Sequence, residues 1–564
     1  MVRGVTVKNE QLTKQVYQTI KGLYDYGVHE VVISPGSRST PLAMACEVHP
    51  QMTTYIHPDE RSAAFFALGL IKATKKPVAV ICTSGTAASN YMPAVSEAYI
   101  SRMPLVVMTS DRPHELRNVG APQAINQVRM FTNFVNYEVD FPVADDFQSS
   151  HDFVDAVLLQ ASRYFSGPES GPVHFNMPFR EPLIPDLSAT EYLKVEPKSQ
   201  VTYQKMVNIE PLRQFIKRGR GMIVVGDCQN EDLSQLLLFA AIHHLPVFAD
   251  PLSHLRHQDS PYILSTGDTL FKVYQNVEPG YIIRVGKPVV SKAMNRFLAA
   301  VSAPQILVQN SLKPDTFPVV PDMHLEMTAN DCFRQLAEES PVLSPGWFEF
   351  FAHLNAVVTN VIQQHVHTVN DEGTIFARLA GQLAADEVLF LGNSMPIRDC
   401  DTFFVGGLAK PYCNRGANGI DGVVSTAMGM AVHKKVTLVI GDISFFHDMN
   451  GLIMKKLEGL DIRIIVMNNN GGGIFSYLPQ KKEELLFERL YGTPLDLDFE
   501  HTAKLYGFNY QRYETYDNIQ LPKDGAHIIE ILTNRQDNVI AHQELTEKVK
   551  DAVHAELSFN YAAE

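Results

Sequence analysis

Short apolar runs recur along the whole chain, each closed by turn-forming residues. Val31-Val32-Ile33, Val78 to Cys82, Leu105 to Met108 and Val173 to Asn176 are too short for helices. Their continuous, β-branched character is that of strands covered on both faces. Arg61 to Lys72, lying between two of them, is rich in Ala, Phe and Leu and apolar nearly all round. Such a stretch predicts a helix buried inside the protein or in an interface. Strand, loop, helix, strand at this spacing is the pattern of βαβ units around a parallel sheet.

The pattern then breaks and restarts. Pro178 to Pro185 holds three prolines and neither periodicity, which reads as a linker. Apolar runs resume at Met222 to Val225, Val247 to Ala249, Tyr281 to Ile283 and Ile306 to Val308, and Pro341 to Gly346 breaks them again. The last set is Val388 to Leu391, Thr437 to Ile440, Ile462 to Met467 and His527 to Leu532. The expected fold is therefore α/β, with three consecutive doubly wound parallel-sheet domains at residues 1–185, 186–345 and 346–564. Open α/β sheets bind ligands beyond the carboxyl ends of their strands. The unusual loops lie there: SPGSRS, TSGT, SDRP, GNSMPIRD, GDIS and NNNGGG.

Two of these loops predict a cation site. Gly441-Asp442-Ile443-Ser444 follows one apolar run, and Asn469 stands 27 residues beyond Asp442, after the next. A helix from about His447 to Leu457 is expected between them. A carboxylate from Asp442, an amide oxygen from Asn469 and a carbonyl near Gly471 suit Mg²⁺, which leaves its other positions to water and phosphate oxygens. Gly441 lets the backbone approach, and the Ile443 and Ser444 amides face anions from a helix start. A second group points to carboxylates. Arg38, Arg112, Arg398 and Arg415 all occupy loops of this kind, and arginine captures carboxylates bidentately.

Composition narrows the classes. The chain has 564 residues, 45% hydrophobic and 20% charged, with a net charge of −14. An acidic protein is a poor nucleic-acid binder, because phosphate contacts need a basic face. No apolar run is long enough to span a membrane, and Met1 to Gln15 lacks the apolar centre of a signal peptide. Both point to the cytoplasm. The six cysteines (Cys46, Cys82, Cys228, Cys332, Cys400, Cys413) form no CxxC pair and read as structural. GxGxxG, GxxxxGK[ST] and HExxH are all absent.

GD followed by NNN at this spacing resembles the thiamine-diphosphate-dependent enzymes. The family usually has glycine where this chain has Ile443, a departure that leaves the metal ligands in place. The resemblance implies that Asp442, Asn469 and the Gly471 carbonyl hold Mg²⁺, with Mn²⁺ as an alternative, on thiamine diphosphate. It implies a catalytic glutamate at the aminopyrimidine, supplied by a neighbouring subunit. The candidate is Glu60 in HPDERSAAFF, which on its own reads more readily as an acid complementing a helix N-terminus, and which the GD…NNN element turns toward the catalytic reading. Ile420, in NRGANGIDG, resembles the wedge under the cofactor, and Ile474 and Phe475 line the same cavity. Ordinary core packing would also place apolar residues at all three. SPGSRSTPLA, DERSAAFFALGL, SDRP, GAPQAINQ, GNSMPIRD and NRGANGIDG together resemble the menaquinone-pathway branch of the family. That branch implies decarboxylation of 2-oxoglutarate followed by addition to isochorismate. Ser37, Arg38, Arg112, Gln123, Lys292, Ser394, Arg398 and Arg415 then become substrate-binding candidates, and Ser394 a cofactor contact as well. Relatives can carry asparagine at Pro122 and arginine at Ala293. A decarboxylase of neutral 2-oxoacids would not need the arginines. A non-catalytic binding protein is disfavoured by the presence of Glu60, Asp442 and Asn469 together. The implied assembly is a homodimer or homotetramer with its active sites at subunit interfaces.

Overall fold

Every apolar run picked out above is a strand in the computed structural model, which describes residues 9–193, 207–228, 231–337, 339–369, 371–516 and 518–561. The strands form three six-stranded sheets, and all their pairings are parallel. The first contains β1 (Glu30–Ile33), β2 (Thr53–Ile56), β3 (Val78–Cys82), β4 (Leu105–Asp111), β5 (Tyr137–Asp140) and β6 (Val173–Pro178), in the order β2-β1-β3-β4-β6-β5. The second contains β7 (Gly221–Val225), β8 (Val247–Ala249), β9 (Ile263–Leu264), β10 (Tyr281–Val285), β11 (Gln305–Val308) and β12 (Met323–Leu325), in the order β12-β11-β10-β7-β8-β9. The third contains β13 (Val388–Leu391), β14 (Lys410–Cys413), β15 (Val436–Gly441), β16 (Arg463–Asn468), β17 (Asn509–Tyr513) and β18 (His527–Leu532), in the order β14-β13-β15-β16-β18-β17.

The apolar stretch after Glu60 forms the helix Glu60–Thr74, with every residue from Ser62 to Ile71 buried. One side covers the first sheet, where Phe66, Val80 and Val107 share a core. The other side meets the helix Val423–Ala431, and the same core continues through Val424 and Met428 to Leu438 and Ile464 of the third sheet. The first and third sheets are thus joined by two layers of helix with no solvent between them. Glycine permits this approach. A Cβ on Gly69 would lie 2.1 Å from the Thr426 carbonyl oxygen, and one on Gly429 would lie 2.0 Å from that of Phe66. The second sheet joins the third through the helix Trp347–Thr368. Phe351 on that helix packs on Phe248 with ring centroids 5.4 Å apart, and Trp347 donates its indole N–H to the Gly221 carbonyl at 2.8 Å.

Candidate active site

Asp442 and Asn469 follow neighbouring strands, with Gly441 at the end of β15 opposite Met467 of β16. Asp442 is the first residue of the helix Asp442–His447, where an acid complements the dipole. Its Oδ2 accepts the Gly471 N–H at 2.8 Å, and burial pushes its carboxyl up to about 6. The expected single helix from about His447 to Leu457 is not what forms. The helix starts at Asp442 and ends at His447, and a 3₁₀ turn (Met449–Ile453) and a short helix (Met454–Glu458) follow. Asp448 marks the break. Its carboxylate accepts the N–H and hydroxyl of Ser425, at 2.7 and 3.0 Å, so its side chain is anchored to another element.

The Asn469 amide is held at one end only. Its Nδ2 donates to Glu372 Oε1 at 2.7 Å, while its Oδ1 is buried and has no partner among the described residues. An orphaned amide oxygen beside a carboxylate fits a hard cation, for a buried acceptor is otherwise costly to leave unmet. Gly471 has φ 148°, and a Cβ there would meet the Gly492 carbonyl oxygen at 2.1 Å. A Cβ on Gly441 would meet nothing within 4 Å, which leaves open space over the helix start carrying the Ile443 and Ser444 amides. Ser444 Oγ donates to the Ile420 carbonyl at 2.8 Å, tying the loop of Asp442 to the loop of Ile420, a residue 37% exposed. Ile474 and Phe475 are half-buried in the 3₁₀ turn Gly473–Tyr477 beyond Gly471. Both the cation and a diphosphate therefore have suitable protein groups.

A second cluster surrounds a cavity of about 610 Å³ between the second and third sheets. Lys292, Arg398 and Arg415 line it, together with Lys287 and Arg296. Five cations thus face three wall carboxylates, Asp227, Asp250 and Asp315, and Asp315 is already paired with Arg102 at 2.9 Å. Arg398 reaches back one turn to the Ser394 carbonyl, and Arg415 donates to Asn393 Oδ1 at 2.9 Å. Asn393 in turn donates to the carbonyls of Asn414 and Gly419, at 2.8 and 2.7 Å, which fixes the loop carrying Arg415. Ser394 holds φ 73°, an unusual backbone conformation for serine. Burial, and then the charge of Arg415, pull the Arg398 guanidinium down from its ordinary value. Two like charges this close make a receptor for an anion.

The remaining candidates stand at the carboxyl ends of the first sheet. Ser37 is exposed after β1. Arg38 is 5% exposed, donates to the Phe179 carbonyl at 2.9 Å and pairs with Glu181 at 3.3 Å. Burial and the neighbouring charge of Arg112 pull Arg38 down, so these two arginines also form a like-charged pair. Gln123, at φ 57°, donates its amide to the Ser84 carbonyl at 3.0 Å. Glu60 is flanked by anchored neighbours. Asp59 accepts from Ser62 N–H at 3.1 Å and Asn450 Nδ2 at 2.8 Å, and Arg61 donates to the His447 carbonyl at 2.9 Å. Glu60 itself makes no hydrogen bond or ion pair with the described residues.

The chain therefore gathers Asp442, Asn469 and Gly471 in one group, Lys292, Arg398 and Arg415 in another, and Arg38 with Arg112 in a third. Among the described residues, no hydrogen bond or ion pair joins Glu60, Ser37, Arg38, Arg112 or Gln123 to the first two groups. Sequence reasoning missed Glu372, Lys287, Arg296, Asn393 and Gln127. Asn393 and Gln127 lie inside loops already singled out. Gln127 is fully buried and bonds Gly85 N–H, the Ser110 carbonyl and Asn176, bridging three strand ends. Glu372 lies in a capping box at the start of the helix Glu372–Ala380, and that local signal conceals its contact with Asn469.

Residues 16–130 match the thiamine pyrophosphate enzyme N-terminal TPP binding domain, and residues 412–537 match the corresponding C-terminal TPP binding domain. The chain is 52% identical over 550 residues to the 2-succinyl-5-enolpyruvyl-6-hydroxy-3-cyclohexene-1-carboxylate synthase of Staphylococcus aureus strain MRSA252, covering 96% of this chain and 98% of the relative. It is 51% identical over 553 residues to the protein of the same name from Staphylococcus haemolyticus strain JCSC1435, covering 97% of this chain and 100% of the relative. The chain belongs to the 2-succinyl-5-enolpyruvyl-6-hydroxy-3-cyclohexene-1-carboxylate synthase family of thiamine pyrophosphate enzymes.

Proposed function

We propose that the protein decarboxylates 2-oxoglutarate and adds the remaining succinyl unit to isochorismate, as a step of menaquinone biosynthesis in the cytoplasm. The observation that carries this reading is the cavity where Lys292, Arg398 and Arg415 converge, since both substrates are dicarboxylates. Asp442, the orphaned Oδ1 of Asn469 and the Gly471 carbonyl hold Mg²⁺ or Mn²⁺, and the Ile443 and Ser444 amides face the diphosphate. Thiamine diphosphate, when bound, supplies the nucleophile that adds to the keto carbon and the electron sink that lets carbon dioxide leave. Ile420, Ile474 and Phe475 exclude water from its rings.

Glu60 holds a proton at the aminopyrimidine, and its lack of a hydrogen bond or ion pair among the described residues suits a group that must give and take that proton. Arg398 and Arg415 orient one carboxylate from the third sheet, with Lys292 at the same cavity and Ser394 one turn before Arg398, which its carbonyl anchors. Ser37, Arg38, Arg112 and Gln123 approach from the first sheet of a second subunit, in a homodimer or homotetramer. The divisions near residues 185 and 345 separate the cofactor-binding ends from the central unit that supplies Lys292.

The test mixes protein, thiamine diphosphate, Mg²⁺, 2-oxoglutarate and isochorismate and follows isochorismate absorbance. Consumption is expected, with a loss of about 10²–10⁴-fold in Glu60→Gln. An inactive wild-type protein, or a fully active Glu60→Gln, overturns the assignment.

A further inference from the structure

An asparagine can ligate a metal through only one end of its amide, so something must decide which end faces the metal. We propose that Glu372 is that positioning residue: its carboxylate holds Asn469 Nδ2 and thereby turns Oδ1 toward the cation. The inference rests on the reading of Asn469 as a metal ligand.

The polarity can be followed from the main chain outward. The Glu372 backbone N–H donates to Asn538 Oδ1 at 3.2 Å, which fixes that amide's orientation. Asn538 Nδ2 therefore points at Glu372 Oε2, at 3.2 Å. Glu372 Oε1 accepts from Asn469 Nδ2 at 2.7 Å and from the Thr533 hydroxyl at 2.8 Å. Every hydrogen-bonding neighbour of the carboxylate among the described residues thus brings a hydrogen to it, and Asn469 meets a group that, ionised, accepts only. Glu372 is 2% exposed and Asn538 is 3% exposed, so water does not take over these bonds. Thr533 and Asn538 follow β18, the strand beside β16, so the relay crosses two strand ends to reach the metal loop.

A glutamine at 372 has the same shape but brings one donor and one acceptor. If its NH₂ faces Asn538, two donors meet, because the main chain fixes Asn538. If its NH₂ faces Asn469, that amide must turn over and present its own NH₂ to the cation. Each arrangement leaves a bad contact, and the second removes a metal ligand. An aspartate at 469 escapes the conflict, because it has an oxygen at both ends: one accepts from the glutamine while the other meets the metal.

The experiment titrates Mn²⁺ into apoprotein with thiamine diphosphate at pH 8 and reads free Mn²⁺ by electron paramagnetic resonance. Glu372→Gln is expected to weaken Mn²⁺ about 10–100-fold, the usual range for a residue behind a metal ligand. Thr533→Val, which removes one bond but keeps the acceptor, is expected to change affinity less than about threefold. Adding Asn469→Asp to Glu372→Gln is expected to restore binding, and this pair carries the test if Glu372→Gln alone does not fold. Wild-type affinity in Glu372→Gln, or no recovery in the double variant, overturns the proposal. Asn469→Ala tells the two readings apart: if it binds Mn²⁺ normally, Asn469 is no ligand, whereas weak binding there with normal binding in Glu372→Gln sinks the positioning role alone.

Discussion

Asp448 keeps a carboxyl group where water does not reach. It is 0% exposed, and burial pushes it from an ordinary 3.8 to about 7, even with Arg61 close and with bonds from Ser425. Its other charged neighbour, Asp59, pushes the same way. The sign of the pH effect follows. Below about pH 4 the group is protonated in the folded and the unfolded chain, and it carries no penalty. Between about 4 and 7 the unfolded chain releases the proton while the folded one retains it, so stability falls as pH rises, and above about 7 the loss is constant. Asp448→Asn mimics the neutral acid. Its melting temperature relative to wild type should climb from pH 5 to 7 and level off by pH 8.5, and a difference independent of pH would contradict the assignment. Individual residues were legible in the sequence wherever chemistry and position coincided in one loop. Asp442 and Asn469 could be read because each follows an apolar run and the two are spaced as neighbouring strands require. Glu372 could not be read, because an acid at a helix start has a local use and its partner is 97 positions away.

At the scale of elements, the division between read and unread is physical. The inner strands of all three sheets were foreseen from their apolar runs. The unforeseen strands, β2, β5, β9, β12, β14 and β17, are the sheet edges. Edge strands are covered on fewer sides, so their sequences need no continuous apolar run, and Thr53–Ile56 and Asn509–Tyr513 show mostly exposed or half-buried positions. The helix Glu60–Thr74 was legible because it is covered all round. Its partner, Val423–Ala431, was not, since nothing local shows which helix Gly69 admits. Gly69→Val should destabilise the protein by about 1–3 kcal/mol or more, because the obstructing atom is a backbone carbonyl that cannot rotate away. Gly381→Ala is the control. A Cβ there meets only the Arg378 carbonyl oxygen, at 3.9 Å, and it should leave the melt unchanged. Equal melting temperatures for the two variants would refute the close crossing.

For the whole molecule, the net charge of −14 is a poor guide to the site, since five cations face one cavity. Charge totals carry no positions, and the second sheet's contribution of Lys287 and Arg296 could be found only in space. That no hydrogen bond or ion pair among the described residues joins Glu60 to the Asp442 group leads to a prediction about assembly. If Glu60 of one chain serves Asp442 of another, Glu60→Gln and Asp442→Asn proteins, each inactive alone, should regain about a quarter of wild-type activity after unfolding and refolding as a mixture, because half the dimers are mixed and one site in each is intact. Sites complete within one chain would give no recovery. The shared core of the first and third sheets has a further effect, on synthesis. The helix Glu60–Thr74 emerges from the ribosome long before Val423–Ala431, with the whole second sheet made in between. At roughly 5–20 residues per second, its outer apolar face waits for tens of seconds without its partner. The nascent chain therefore passes through a prolonged stage with a large sticky surface, when a holding chaperone matters most, and fragments ending before residue 423 should aggregate rather than fold.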